Sequence, residues 1–155
     1  MTKKSIIGVL GLAVNDQGQY LLTKRHEPKH PPFHLKWNVP GGGMEFGETP
    51  EETLVREFGE ELSVKPQILI STPAVFSHLR TFSNQTVHVT LLCYLVSLGN
   101  QTIVLDKREN VDLRWVMLEE VENLNCLPGT FSMVHKVHEL HIHNNHYPHY
   151  NTTYR

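Results

Sequence analysis

The sequence predicts a single α/β domain in which a mixed β-sheet carries helices on both faces. The chain has 155 residues, close to the usual size of one domain. Segments rich in β-branched and aliphatic residues lie both before and after one well-marked helix. They do not alternate strictly with helices, which favours a sheet of mixed strand direction. With 39% hydrophobic and 19% charged residues, the composition is that of a globular protein with a substantial core.

The N-terminal part is predicted to form two strands joined by a tight turn. Residues 5–14 are an apolar run, the Asn-Asp-Gln-Gly sequence at 15–18 is a turn signal, and residues 19–25 resume a strand-like pattern. Residues 26–36 contain three prolines, which fit neither a helix interior nor a central strand. This segment is therefore predicted to be a loop.

The clearest helix is predicted from Thr49 to Leu62. Thr49 is a favourable N-cap, Pro50 occupies the first helical position, and Glu52 completes a capping box. An apolar stripe follows at helical spacing, formed by Leu54, Phe58 and Leu62. One face of this helix is therefore expected to pack on the sheet.

The rest of the chain is predicted to hold three strands, at residues 67–76, 86–98 and 111–117. Residues 79–85 are expected to connect the first two. A turn or helix start is expected at 118–121, and a last helix at 131–140. From residue 141 the chain is expected to be polar and irregular, so we take residues 1–142 as the domain and 143–155 as a histidine-rich tail.

Charge and cysteine content exclude several classes of function. Fourteen Lys and Arg against sixteen Asp and Glu give a net charge of −2, which offers no attraction to a long nucleic acid or an anionic membrane surface. The two cysteines, Cys93 and Cys126, form no CxxC pair and suit a reducing, cytoplasmic location. Gly8 and Gly11 interrupt the N-terminal apolar run, which we interpret as a buried strand and not a signal peptide.

Three carboxylates are expected to converge on the predicted helix. Glu57, Glu60 and Glu61 fall within an arc of roughly 100° beside the apolar stripe. Like charges at this spacing repel unless a cation neutralises them. Carboxylate oxygens select Mg²⁺ or Mn²⁺, which are commonly shared with substrate phosphates. The alternative is a solvated acidic helix face, although a glycine-rich turn precedes the helix and Arg56 stands among the acids.

The segment from Pro40 to Val64 resembles the Nudix box. That pattern is Gly, five residues, Glu, seven residues, then Arg-Glu-apolar-any-Glu-Glu-any-Gly-apolar, and here it starts at Gly42. Every position matches except the closing glycine, which is Ser63 in this chain. Such a glycine usually lies just past the helix with a positive φ, so Ser63 predicts a slightly altered helix exit without loss of activity.

The resemblance implies a role for each matching residue. Glu57, Glu60 and Glu61 would bind catalytic Mg²⁺ or Mn²⁺, and Arg56 would pair with Glu48 to hold loop and helix in register. An ordinary intrahelical pair of Arg56 with Glu52 or Glu60 is the alternative. Three glycines would let the backbone approach the metal and phosphates closely: Gly41, Gly42 and Gly43.

Two further residues outside the box are candidates. Family members commonly add an acidic side chain from another loop as a metal ligand or general base. We select Glu109, six residues before Trp115, over its neighbours Asp106 and Asp112; a solvated loop carboxylate is the alternative. Phe131, at the predicted start of the last helix, is a candidate for stacking on a base, although a core position is the commoner role.

The resemblance implies a metal-dependent hydrolase that cleaves a diphosphate linkage in a nucleoside di- or triphosphate derivative. Water would attack phosphorus with the help of the cation. Two alternatives remain: a non-catalytic nucleotide sensor of the same fold, and an isopentenyl-diphosphate isomerase-like enzyme using a Cys and Glu pair, for which Cys93 is the candidate. The substrate is expected to be a small nucleotide of undetermined identity, and a homodimer is left open.

Overall fold

Two β-sheets and two α-helices build the fold, which a computed structural model describes for residues 1–146. The strands are β1 (Thr2–Ala13), β2 (Tyr20–Arg25), β3 (Trp37–Asn38), β4 (Gly41–Gly43), β5 (Gln67–Ile68), β6 (Ala74–Thr81), β7 (Gln85–Ser97) and β8 (Asn110–Val116). The helices are α1 (Pro50–Leu62), a 3₁₀ helix (Leu118–Asn123) and α2 (Thr130–His146). Among the residues described, no helix is long and apolar enough to cross a membrane.

The larger sheet is mixed and has five strands. Its order is β4-β1-β7-β5, and β6 also pairs with β7. Strands β1 and β7 run parallel over twelve residue pairs, whereas the other pairings are antiparallel. A smaller antiparallel sheet has the order β3-β2-β8.

The core lies on both faces of the large sheet because successive side chains of β1 point in opposite directions. Val9 and Ala13 pack with α1, whereas Leu12 packs with α2. At Gly11 an added Cβ would lie 2.7 Å from the ring of Phe58, so this glycine allows α1 to approach the strand. The predicted mixed sheet with helices on both faces is confirmed.

The two predicted N-terminal strands and the turn between them are confirmed, but the strands pair with each other only next to the turn. The Gly18 N–H donates to the carbonyl of Asn15 at 3.0 Å, and Val14 forms an isolated bridge with Tyr20. Beyond that bridge, β1 pairs with β4 and β7 while β2 joins the other sheet. Long-range pairing therefore overrides the hairpin that the local turn favoured.

The single strand predicted at residues 67–76 is wrong, because the segment forms two strands separated at residues 69–73. Strand β6 then continues to Thr81, through part of the segment expected to be a connection. Pro73 interrupts the ladder, and pairing with β7 stabilises residues 78–81 as a strand despite their polar composition.

Helix α2 extends six residues past its predicted end at residue 140. The buried hydroxyl of Tyr20 is hydrogen-bonded to Nδ1 of His138 at 2.6 Å and to Nδ1 of His141 at 3.3 Å. These contacts hold the polar end of α2 against the core, so residues 141–146 are helical and the irregular structure expected there is wrong. The remaining tail, residues 147–155, lies outside the described part of the chain.

Candidate active site

The start of α1 is fixed as the sequence predicts. The Glu52 N–H donates to the Thr49 hydroxyl at 3.2 Å, and the Thr49 N–H donates to the Glu52 carboxylate at 2.8 Å. An N-cap of this kind contributes about 1 kcal/mol. The cap sets where the helix begins, and thereby which side chains face the glycine-rich strand β4.

The end of α1 keeps a glycine-like geometry without a glycine. Ser63 adopts the left-handed conformation, with φ of 56° and ψ of 35°, and its N–H donates to the Gly59 carbonyl at 3.2 Å. The altered exit expected from Ser63 is therefore wrong. The Cβ makes this conformation cost roughly 1 kcal/mol, which the following packing of Val64 into the core offsets.

Arg56 ties the loop before the helix to the helix itself. Its guanidinium donates to both carboxylate oxygens of Glu48, at 2.6 and 3.0 Å, and to the Gly43 carbonyl at 2.9 Å. The Arg56 hydrogen bond, with help from the Glu45 N–H, lowers the pKa of Glu48 to about 2. Arg56 reaches Glu60 only at 3.5 Å, so the pair with Glu48 is its principal contact.

Gly41 and Gly42 allow a carboxylate of α1 to lie directly against the strand. A Cβ on Gly42 would fall 2.4 Å from the carboxylate of Glu57, and one on Gly41, where φ is +139°, would fall 2.2 Å from the Val9 carbonyl. Gly43 contributes its carbonyl to Arg56, and a Cβ there would meet nothing within 4 Å. A side chain at position 41 would therefore collide with the backbone of β1, and one at position 42 would displace the Glu57 carboxylate.

Three carboxylates converge at this point: Glu57, Glu61 and Glu109 each offer an oxygen, and these atoms lie within 4.8 Å of one another. Glu57 and Glu61 are buried. Burial raises the pKa of Glu57, and burial together with the charges of Glu57 and Glu109 raises the pKa of Glu61 to about 8. Glu60 lies outside this cluster, with its side chain 54% exposed.

Backbone hydrogen bonds from a distant loop bring Glu109 to the helix. The N–H groups of Val104 and Asp106 donate to the carbonyls of Leu62 and Glu61, at 3.0 and 2.8 Å. These carbonyls at the end of a helix have no partner within it. The loop that they hold carries Glu109, whose own carbonyl accepts from the His26 N–H at 2.7 Å.

The neighbouring acids are engaged elsewhere. Asp106 forms an ion pair with Arg108 at 2.7 Å, and the carboxylate of Asp112 accepts from the Leu113 N–H at 2.9 Å. Asn110, which sequence reasoning missed, is buried and its amide donates to Glu61 at 3.5 Å. The only indication of this role of Asn110 in the sequence is its position next to Glu109.

Phe131 is not brought to the carboxylate cluster. It lies at the start of α2, on the other side of the large sheet from α1, and its partly exposed ring packs at a tilt of 52° against His135, with centroids 4.2 Å apart. A groove of about 220 Å³ opens elsewhere, where β1 and β7 begin and β6 ends, and contains none of the three carboxylates. Its lining includes Lys4, Ile6, Arg80, Phe82 and Val87.

Cys93 is a structural residue of the hydrophobic core. It is fully buried, and burial raises the pKa of its thiol to about 12. A thiol in this environment stays protonated and out of reach of a substrate.

The donor set suits a hard divalent cation. All three convergent side chains supply carboxylate oxygens, and no Cys or His donor belongs to the cluster. Oxygen donors of this kind are typical of Mg²⁺, Mn²⁺ and Ca²⁺ sites. Arg56 donates to the Glu57 carboxylate at 2.8 Å, but the charges of Glu57 and Glu109 still disfavour ionisation of Glu61. A bound divalent ion would remove this repulsion.

The site consists of a glycine-rich strand that lies against an acidic helix, on a mixed sheet that carries helices on both faces. A family model described as NUDIX domain matches residues 4–137. The nucleoside triphosphatase NudI of Enterobacter sp. (strain 638) is 32% identical over 122 residues, which cover 76% of this chain and 86% of that protein. The chain therefore belongs to the Nudix family, and it is an enzyme of the Nudix hydrolase class.

Other relatives agree with this assignment. The 8-oxo-dGTP diphosphatase of Escherichia coli (strain K12) is 35% identical over 94 residues, which cover 61% of this chain and 67% of that protein. The crystal structure of the MutT protein from Methanosarcina mazei Go1 matches with a TM-score of 0.66 at 24% identity, over 91% of this chain and 98% of that chain. The latter likeness shows the fold.

Proposed function

We propose that this protein is a Mg²⁺- or Mn²⁺-dependent hydrolase that cleaves a diphosphate linkage in a nucleoside di- or triphosphate derivative. The observation that carries the proposal is the convergence of Glu57, Glu61 and Glu109 within 4.8 Å, against a strand whose glycines leave room for it. We further propose a cytoplasmic enzyme with a small nucleotide substrate, and a homodimer as its assembly. Residues 1–142 would carry the activity without the tail.

In this mechanism Glu57 and Glu61 would hold the cation. Glu60, which lies near Glu57 with its side chain 54% exposed, would be a further ligand from the solvent side. When bound, the ion would offset the charge of the diphosphate and lower the pKa of the attacking water. Because Arg56 is hydrogen-bonded to Glu48, Glu57 and the Gly43 carbonyl, it keeps the loop and the first ligand in place before substrate arrives.

Glu109 is proposed as the general base, with a role as a further ligand as the alternative. It is the exposed member of the cluster, so water reaches it directly. The proton of the attacking water would pass to its carboxylate as the new bond to phosphorus forms. The phosphorus–oxygen bond of the anhydride would then break, and the phosphate leaving group would depart with its electron pair.

The substrate class rests on chemistry and on the relatives. Two relatives are named as acting on nucleoside triphosphates or 8-oxo-dGTP, and the three convergent carboxylates suit a cation that is shared with substrate phosphates. We propose a small nucleotide as the substrate. Phe131 lies on the opposite face of the large sheet from α1, so we do not propose it as a contact for the base.

The test is release of phosphate or pyrophosphate from a panel of nucleotides with Mg²⁺. We expect turnover of at least one nucleoside di- or triphosphate derivative, with Glu57→Gln losing most of it. Glu119→Gln, at an exposed glutamate in the 3₁₀ helix, is the matched control and should behave as the unaltered protein. Nucleotide binding without turnover would support the non-catalytic sensor, and turnover of isopentenyl diphosphate would support the isomerase.

A further inference from the structure

Strand β6 leaves one of its two edges unpaired. The Phe82 N–H donates to the Gln85 carbonyl at 2.7 Å, and hydrogen-bonded pairs alternate along an antiparallel ladder. Even-numbered residues of β6 therefore bond to β7, and the backbone groups of Val75, Ser77 and Leu79 point away from it. Within residues 1–146, no backbone or side-chain partner meets these outward groups.

This edge lacks the features that usually protect an exposed strand. It is eight residues long and contains neither lysine nor proline, which commonly block edge pairing. Arg80 is directed to the other face, where its guanidinium stacks 4.9 Å from the ring centre of Phe33. Val75 and Leu79 are 61% and 68% exposed, so two apolar side chains flank the open backbone.

We propose that a second copy of this chain pairs with β6 in antiparallel fashion, about a twofold axis at Ser77. In that register Val75 lies opposite Leu79 of the second copy, and the pair occurs twice. Opposed residues share one face of the sheet, so the exposed apolar side chains cover one another. Arg80 lies opposite Ala74, and no two like charges meet.

A register shifted by one position along the strand fits less well. A twofold axis at His78 would place the two copies of this histidine opposite each other and set Val75 against Thr81. The apolar side chains would then face polar ones. The register at Ser77 is therefore the one that the side-chain pattern of β6 favours.

Pairing through β6 ends at two copies. A twofold contact between two β6 strands is closed, because each copy uses its open β6 edge once. The opposite edge of the sheet consists of the three-residue β4 and of residues 2–7 of β1, where Lys3 and Lys4 disfavour further pairing. Edge pairing alone covers less than the roughly 1,200–2,000 Å² of a standard stable interface. A reversible, concentration-dependent dimer is therefore expected. This inference deepens the proposed homodimer and does not depend on the proposed activity.

The first test is sedimentation of the full chain over a concentration series. Ser77→Pro removes an outward N–H and leaves the ladder to β7 intact, so it should raise the dissociation constant of the dimer at least about tenfold. Ser77→Ala, which loses the same hydroxyl but keeps the N–H, is the control and should dimerise normally. A wild-type protein that stays monomeric at all concentrations, or equal dimerisation of both variants, would overturn the proposal.

The second test addresses register through cross-linking with oxidised glutathione. Residues directly opposite in a hydrogen-bonded pair have Cα atoms about 5.5 Å apart, within reach of a disulfide. Ser77→Cys should form a covalent dimer, whereas Thr81→Cys should not, and the unaltered protein controls for Cys93 and Cys126. Cross-linking of Thr81→Cys alone would refute the register. Nucleotide hydrolysis by Ser77→Pro, measured in parallel, separates failure of the dimer from failure of the proposed activity.

Discussion

Replacing Glu61 by glutamine should stabilise the metal-free protein at alkaline pH. Glu61 is buried in the last turn of α1. Its burial is the main reason, and the nearby charges of Glu57 and Glu109 are a further reason, why its pKa rises from 4.5 to about 8. Glutamine keeps the shape and can still accept from the Asn110 amide, but it carries no charge. The substitution therefore removes the cost of ionising a buried carboxyl.

The sign follows from proton binding in the two states. Between about pH 4.5 and 8 the folded protein holds a proton on Glu61 that the unfolded chain has lost, so the free energy of unfolding falls as pH rises. Each pKa unit corresponds to about 1.4 kcal/mol. The rise in the pKa of Glu61 therefore limits the loss in the free energy of unfolding to the order of 5 kcal/mol. Because water reaches buried carboxyls as they ionise, we expect a loss of about 2–5 kcal/mol, complete above pH 8.

The assay is urea unfolding in the presence of a chelator, from pH 5 to 8.5. Glu61→Gln should match the unaltered protein at the acid end and exceed it by about 2–5 kcal/mol at the alkaline end. Glu60→Gln, one residue away and more than half exposed, is the matched control and should follow the unaltered protein. Adding Mg²⁺ should stabilise the unaltered protein and have a smaller effect on Glu61→Gln. Parallel loss of stability in both proteins would refute the reasoning.

Three further outcomes are expected. Glu109→Gln should lower the hydrolysis rate by about 10²–10⁴ if it is the general base, and a larger loss for Asp106→Asn in the same assay would reassign that role. Gly42→Ala should weaken Mn²⁺ binding at least about tenfold by displacing the Glu57 carboxylate, while Gly59→Ala, whose added carbon meets no atom within 4 Å, should bind normally by titration calorimetry. Ser63→Gly should raise the free energy of unfolding by up to about 1 kcal/mol by relieving the left-handed strain, and a decrease would show that Ser63 is unstrained.

The sequence by itself determined the helix that carries the site and the chemistry of that helix. Thr49, Pro50 and Glu52 act on one another within four residues, so a local pattern is enough to place the helix start. The spacing of Glu57 and Glu61 on one face follows from helix geometry alone. The pair of Glu48 with Arg56 was implied by the resemblance to the Nudix box, whereas spacing alone left Glu52 and Glu60 open as partners of Arg56.

Only the tertiary structure decided which acids meet and where the strands lie. Glu109 joins Glu57 and Glu61 because backbone groups of the loop satisfy the open carbonyls at the end of α1, a contact that no local pattern records. Glu60 belongs to the same sequence motif yet stays outside the cluster, since its side chain points to solvent. Likewise β6 reaches Thr81 because β7 pairs with it. In each case the deciding interaction joins residues far apart in the chain, where local propensity has no influence.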